Sequence, residues 1–138
     1  MRYVRIALLT NVALLFLCLT YGVAADRKEV IATVDKDGIQ RVEIVSGSYF
    51  FTPNYIVVKV NVPVEIKIRK EGGIIPHNFV IKAQDAGIDV NVDLGTEPKT
   101  VNFTPVKIGS YPFYCEKKII FMKSHREKGM EGVLVVRQ

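Results

Sequence analysis

Histidine and cysteine are scarce in this chain, with two of each. Two histidines are too few for several histidine-rich metal centres, so multi-centre oxidase and nitrite-reducing chemistry is excluded within this chain. Methionine occurs three times, one of them the initiator, and there is no Met-rich run of the kind suited to passing on soft metal ions. The net charge is only +5, and no basic run is interleaved with aromatic residues, so nucleic-acid binding is not expected. No long amphipathic helical pattern separates the apolar segments, which argues against a parallel α/β sheet.

Charge is missing altogether from residues 6–25. Arg2 and Arg5 precede this run, Leu8, Leu9, Val12, Leu14 to Leu17 and Leu19 fill it, and Val23-Ala24-Ala25 ends it before the charged Asp26-Arg27-Lys28-Glu29. The pattern reads as a secretory signal cleaved after Ala25, leaving a domain over residues 26–138 in the periplasm or another extracytoplasmic space. Twenty uncharged residues are also just long enough to span a bilayer, so membrane attachment is expected only if the segment is uncleaved. Cys18 follows Leu15-Phe16-Leu17 and lacks the small residues of a lipid-attachment site. Cleavage would remove Cys18 and leave Cys115 without an intrachain disulfide partner. A single thiol in an oxidising compartment is buried, paired with another chain or bound to metal, and metal explains this one best.

The rest of the chain reads as all-β. Apolar alternation or β-rich runs occur over 30–34, 40–45, 55–60, 64–70, 77–81, 99–104, 109–115 and 132–137. Asp37-Gly38 and Glu71-Gly72-Gly73 mark turns, and residues 83–98 read as a long polar connection with a helical turn. Seven to eight short strands predict a Greek-key β-sandwich.

The scarce residues fall together at the end of that pattern. Cys115 closes the run Gly109-Ser110-Tyr111-Pro112-Phe113-Tyr114-Cys115, His125 and Met130 follow it, and the final strand begins at once. His77 lies upstream in Pro76-His77-Asn78-Phe79. A thiolate, two imidazoles and a thioether are the ligand set of a mononuclear copper site cycling between Cu(I) and Cu(II). Singly, each residue has a plainer role in a core or on a surface. Their order before a last strand is what points to one copper ion per chain.

These segments resemble the cupredoxin family of blue-copper proteins, such as plastocyanin and azurin, over most of residues 26–138. The resemblance implies a site in which His77, Cys115 and His125 bind in a plane and Met130 is the weak axial ligand. It also implies that Asn78 ties the ligand strand to the cysteine loop. It further implies a one-electron carrier; the two histidines argue against an enzyme, and a periplasmic copper-handling protein, a chaperone or scavenger, is the alternative reading. One departure stands out. Nine residues, Glu116 to Ser124, separate Cys115 from His125, more than in familiar members. The insert makes Met122 a rival axial ligand and leaves Glu116 or Glu127 open as an oxygen ligand. It reads either as a helical turn or as a protruding flap. Its apolar residues Ile119 to Met122 either cover the site or form a docking patch. Lys117, Lys118, Lys123, Arg126 and Lys128 outnumber the acids around it, which suggests an acidic redox partner docking near His125 and the 116–128 loop.

Overall fold

The computed structural model describes residues 26–138, so the proposed signal segment lies outside the described residues. Ten strands form two facing sheets. They are β1 (Glu29–Ile31), β2 (Gln40–Gly47), β3 (Phe50–Thr52), β4 (Tyr55–Lys59), β5 (Val64–Lys70), β6 (His77–Ala83), β7 (Ile88–Leu94), β8 (Lys99–Phe103), β9 (Gly109–Tyr114) and β10 (Glu131–Arg137). One sheet runs β1-β4-β10-β9-β6-β7, and the other runs β3-β2-β5-β8. The all-β sandwich is as expected, with ten strands in place of seven or eight.

The extra strands have local causes. Residues 83–98 are not a simple connection, because β7 lies within them and pairs antiparallel with β6 along its whole length. Ile88, Val90, Val92 and Leu94 alternate there with Asp89, Asn91 and Asp93. The polar positions are poor strand formers, but one face of β7 packs on the core, and that burial outweighs propensity. The helical turn expected in this stretch is a short 3-10 turn, Gln84–Ala86. The run ahead of β4 splits off β3, which folds back on β2.

Alternation builds the core. Val64, Ile66 and Ile68 of β5 are at most 1% exposed, while the alternating Lys67 and Arg69 face solvent. Phe51, Phe79 and Phe113 meet at ring-centroid distances of 5.2–5.6 Å in the middle of the sandwich. Gly132 is required beside them, since a Cβ there would lie 2.3 Å from the Phe113 ring and 2.5 Å from the Asn54 carbonyl. Among the described residues no helix is long and apolar enough to cross a membrane.

The register defines two ends. β1 and β10 both run parallel to β4, with Glu29 and Val133 level with Tyr55. The start of β10, the start of β6 and the ends of β5 and β9 therefore share one end. The loops carrying His77, Cys115, His125 and Met130 all open there.

Candidate metal centre

Three donor atoms converge at that end. His77 Nδ1 lies 3.1 Å from His125 Nδ1, Cys115 Sγ lies 3.4 Å from His125 Nδ1, and Cys115 Sγ lies 3.9 Å from His77 Nδ1. All three residues are buried, with His125 and Cys115 at 0% exposure. They form a group that can hold a metal ion, with ligand atoms within 4.8 Å of one another. Donors bound to a single ion at about 2.0–2.3 Å stand roughly this far apart. His125 Nε2 is buried without a hydrogen-bond partner. A buried imidazole that leaves a polar atom unsatisfied is costly unless its other nitrogen does specific work. Two imidazole nitrogens beside a thiol suit copper better than a hard cation, which takes oxygen ligands. The group fits one copper ion.

Electrostatics prepare these donors. Burial, the neighbouring His125 and Lys70 push the His77 pKa down to about 4. Burial and Lys128 also lower His125. Both rings are thus neutral near pH 7, with lone pairs free to bind a metal. Burial pushes the Cys115 thiol up, opposed by the backbone N–H groups of Asn78 and Lys117. The thiol gives up its proton when a cation arrives, so metal binding releases a proton.

Asn78 joins the two ligand segments. Its backbone N–H donates to Cys115 Sγ at 3.4 Å. Its side-chain Oδ1 accepts from the Glu116 N–H at 2.8 Å, and its Nδ2 donates to Asn91 Oδ1 at 3.1 Å. The link reaches Asn91 on β7, a residue that the sequence reading placed in a connection. Met130 is 0% exposed; its carbonyl accepts from the Cys115 N–H, and its own N–H donates to the His125 carbonyl. Met122 is 45% exposed and lies in the insert. The Glu116 carboxylate pairs with Lys82, and the Glu127 carboxylate accepts from the Ser124 N–H and hydroxyl.

The insert is a flap, not a helical turn. His125 N–H donates to the Lys117 carbonyl at its base, Lys118 and Ser124 form an antiparallel bridge, and a Met122-to-Ile119 backbone bond closes the tip. Ile120 and Phe121 at the tip are exposed, so they do not cover the metal group. The cover comes from Tyr49, which sequence reasoning missed. Its ring meets His125 edge-on at 4.9 Å and His77 at 6.4 Å. Lys128 Nζ stands 4.2 Å over that ring and donates to the Tyr49 hydroxyl at 3.1 Å. Tyr49 reaches this place with φ 67°, a left-handed turn that no local pattern in Gly47-Ser48-Tyr49 announces. His125 itself has no exposed edge.

Solved structures share this fold. The chain is similar to the metal-binding domain of the Cu(I)-exporting P-type ATPase CopA of Streptococcus pneumoniae D39, at 21% identity and a TM-score of 0.60, over 83% of this chain and 100% of that one. It is similar to a copper-binding protein solved in its apo form, at 26% identity and a TM-score of 0.55, over 79% and 97%. It is also similar to auracyanin A, a blue copper protein of Chloroflexus aurantiacus, at 22% identity and a TM-score of 0.53, over 72% and 100%. A multicopper oxidase shares the fold too, at 14% identity and a TM-score of 0.59, so the fold is used by enzymes as well. No curated protein sequence matches the chain. With a family model matching residues 8–136 and a buried His-Cys-His group at the head of a β-sandwich, the chain belongs to the cupredoxin-like domain family.

Proposed function

We propose that this protein is an exported one-electron copper carrier. Residues 1–25 act as its export leader and residues 26–138 as the working domain. His77, Cys115 and His125 hold the ion, and Met130 supplies the weak axial sulfur. The observation that carries this reading is the convergence of two neutral imidazole nitrogens and one thiol, 3.1–3.9 Å apart, in a buried setting. Copper bound there supplies reversible one-electron chemistry. The chain's own residues supply the rest. Asn78 fixes the thiol, Tyr49 keeps water off the imidazoles, and a well-tied sandwich limits rearrangement between oxidation states. Burial of Met130, against the exposure of Met122, supports Met130 as the axial residue. Such a ligand set has no position for a substrate, which favours a carrier over an enzyme. Basic side chains around residues 116–128 suit an acidic redox partner at this end.

Copper handling is the second reading, favoured by the likeness to the metal-binding domain of a Cu(I)-exporting ATPase. One experiment separates the two. Residues 26–138 are loaded with Cu(II), and optical and EPR spectra are recorded. A carrier shows an intense visible thiolate-to-copper band that Cys115→Ala abolishes. A protein that stays colourless yet takes up Cu(I) is a handler, and one that binds no copper sinks both readings. Met130→Leu should keep the band and raise the potential, while Met122→Leu should do little. The reverse order would overturn the axial assignment.

A further inference from the structure

The metal group leaves the flap between Cys115 and His125 unexplained. At its tip Phe121 has φ 64° and a side chain that is 102% exposed, and Ile120 beside it is 77% exposed. Both features are unfavourable in an isolated chain. A left-handed φ strains a bulky residue, and an exposed aromatic ring gains nothing from burial. Lys118 and Lys123 flank the tip, one on each arm, and among the described residues neither has an ion-pair partner. On the neighbouring loop of the same end, Ile74 is 98% exposed.

Shape and charge together select the occupant. The flap is two chains wide, joined by the Lys118–Ser124 bridge. So narrow a tip has no broad face for the close packing of a protein interface, which leaves the basic side chains at its base, Lys117, Arg126 and Lys128, for a redox partner. A lipid interface closes around any shape. Apolar side chains enter the boundary region while the flanking lysines extend to anionic headgroups. The chain direction agrees. Residues 26–28 enter β1 at the end where β10 begins, and Asp26 and Gly129 line the same shallow cavity. Until the export leader is removed, the end that carries the flap is thus also the end at which the chain reaches the membrane.

We infer that the flap of residues 117–124 is a membrane-docking finger, which seats the ligand end on an anionic lipid surface through Ile120 and Phe121, with Lys118 and Lys123 on the headgroups. A carrier held this way meets partners embedded in the same membrane. Docking needs no metal, so its failure leaves the copper reading untouched.

The test uses residues 26–138, which contain every strand of both sheets. The chain has no tryptophan, so Phe121→Trp places a single reporter at the tip. With vesicles of phosphatidylglycerol and phosphatidylcholine its emission should shift to the blue, and the protein should sediment with them. Ile120→Ser with Phe121→Ser should weaken partitioning about tenfold or more. Lys118→Glu with Lys123→Glu should weaken it about fivefold or more per charge. The tip side chains are exposed, so an unchanged thermal melt checks that these variants fold. An unshifted reporter, wild-type binding by the double serine variant, or equal binding to phosphatidylcholine alone would each overturn the assignment. A reporter that shifts with polyglutamate but not with lipid would make the finger a protein-docking element and overturn it as well.

Discussion

At the far end of the sandwich, a buried amide has every polar atom bonded. Gln40 is 0% exposed; its Nε2 donates to the Lys59 and Val62 carbonyls, and its Oε1 accepts from the Lys59 N–H at 2.6 Å. At the ligand end, a buried imidazole does not. His125 is equally hidden, yet its Nε2 has no partner, and its Nδ1 faces another ring nitrogen and a sulfur. The ligand end also holds two bulky left-handed residues, Tyr49 and Phe121, whereas among the described residues the one left-handed non-glycine residue of the far end is Asn61, a residue type that accepts this turn readily. The far end is organised for stability. The ligand end keeps an unpartnered ring nitrogen and strained backbone that the surrounding fold holds in place.

The largest expected effect sharpens the comparison from the far end. Gln40→Ala leaves two carbonyls and one N–H without their partner and opens a void, so urea unfolding should show a loss of about 2–4 kcal/mol. The copper spectrum should not change. A shifted spectrum would mean that the two ends are coupled, and the contrast would fail.

Acid should expose the opposite character of the ligand end. His77 titrates at about 4 in the folded chain, against an ordinary value of 6.5. Between those values the unfolded chain binds a proton that the folded chain refuses. Stability of the metal-free protein is therefore unaffected above about pH 6.5 and falls below it. The slope is about 1.4 kcal/mol per pH unit, or about 3 kcal/mol by pH 4. The lowered His125 acts in the same direction. Thermal melts across this window should show the fall, and His77→Gln should flatten it. A wild-type melt that stays level would mean that the rings are not buried as neutral groups.

Asn78 lies where the two characters meet, as a satisfied side chain holding an unsatisfied group. Asn78→Ala frees the Glu116 N–H and Asn91, at about 1–2 kcal/mol. Cys115 in the metal-free variant should then react faster with a thiol reagent. Unchanged reactivity would remove Asn78 from the site. Strain at the flap predicts a gain instead of a loss. Phe121→Gly should stabilise the domain by about 0.5–1 kcal/mol in chemical unfolding, because glycine accepts the left-handed turn without cost. The smallest effect belongs to the most conspicuous ion cluster. Arg41 contacts Asp35, Asp37 and Glu65, but all four side chains remain in contact with solvent. Arg41→Ala should leave the urea midpoint close to that of the wild type, and a clear loss would give the far end an electrostatic anchor that water ought to screen.

Much of this was legible in the residues themselves. The alternation of Val64, Ile66 and Ile68 against Lys67 and Arg69 announces a half-buried strand. The order Cys115, His125, Met130 before a final apolar run announces a ligand loop. β7 was not legible as a strand, because Asp89, Asn91 and Asp93 carry the signature of a loop and only packing on β6 overrides it. Tyr49 was not legible either, since its role depends on a backbone turn and on loops that are distant in sequence.

Fold class and donor types follow from the residues alone, because alternation and side-chain chemistry are local properties. Which sulfur-bearing residues are buried, how far apart the donors stand, what covers them and which way the flap points emerge only when the sheets pack. Those depend on register between strands far apart in the chain, and no local pattern encodes register.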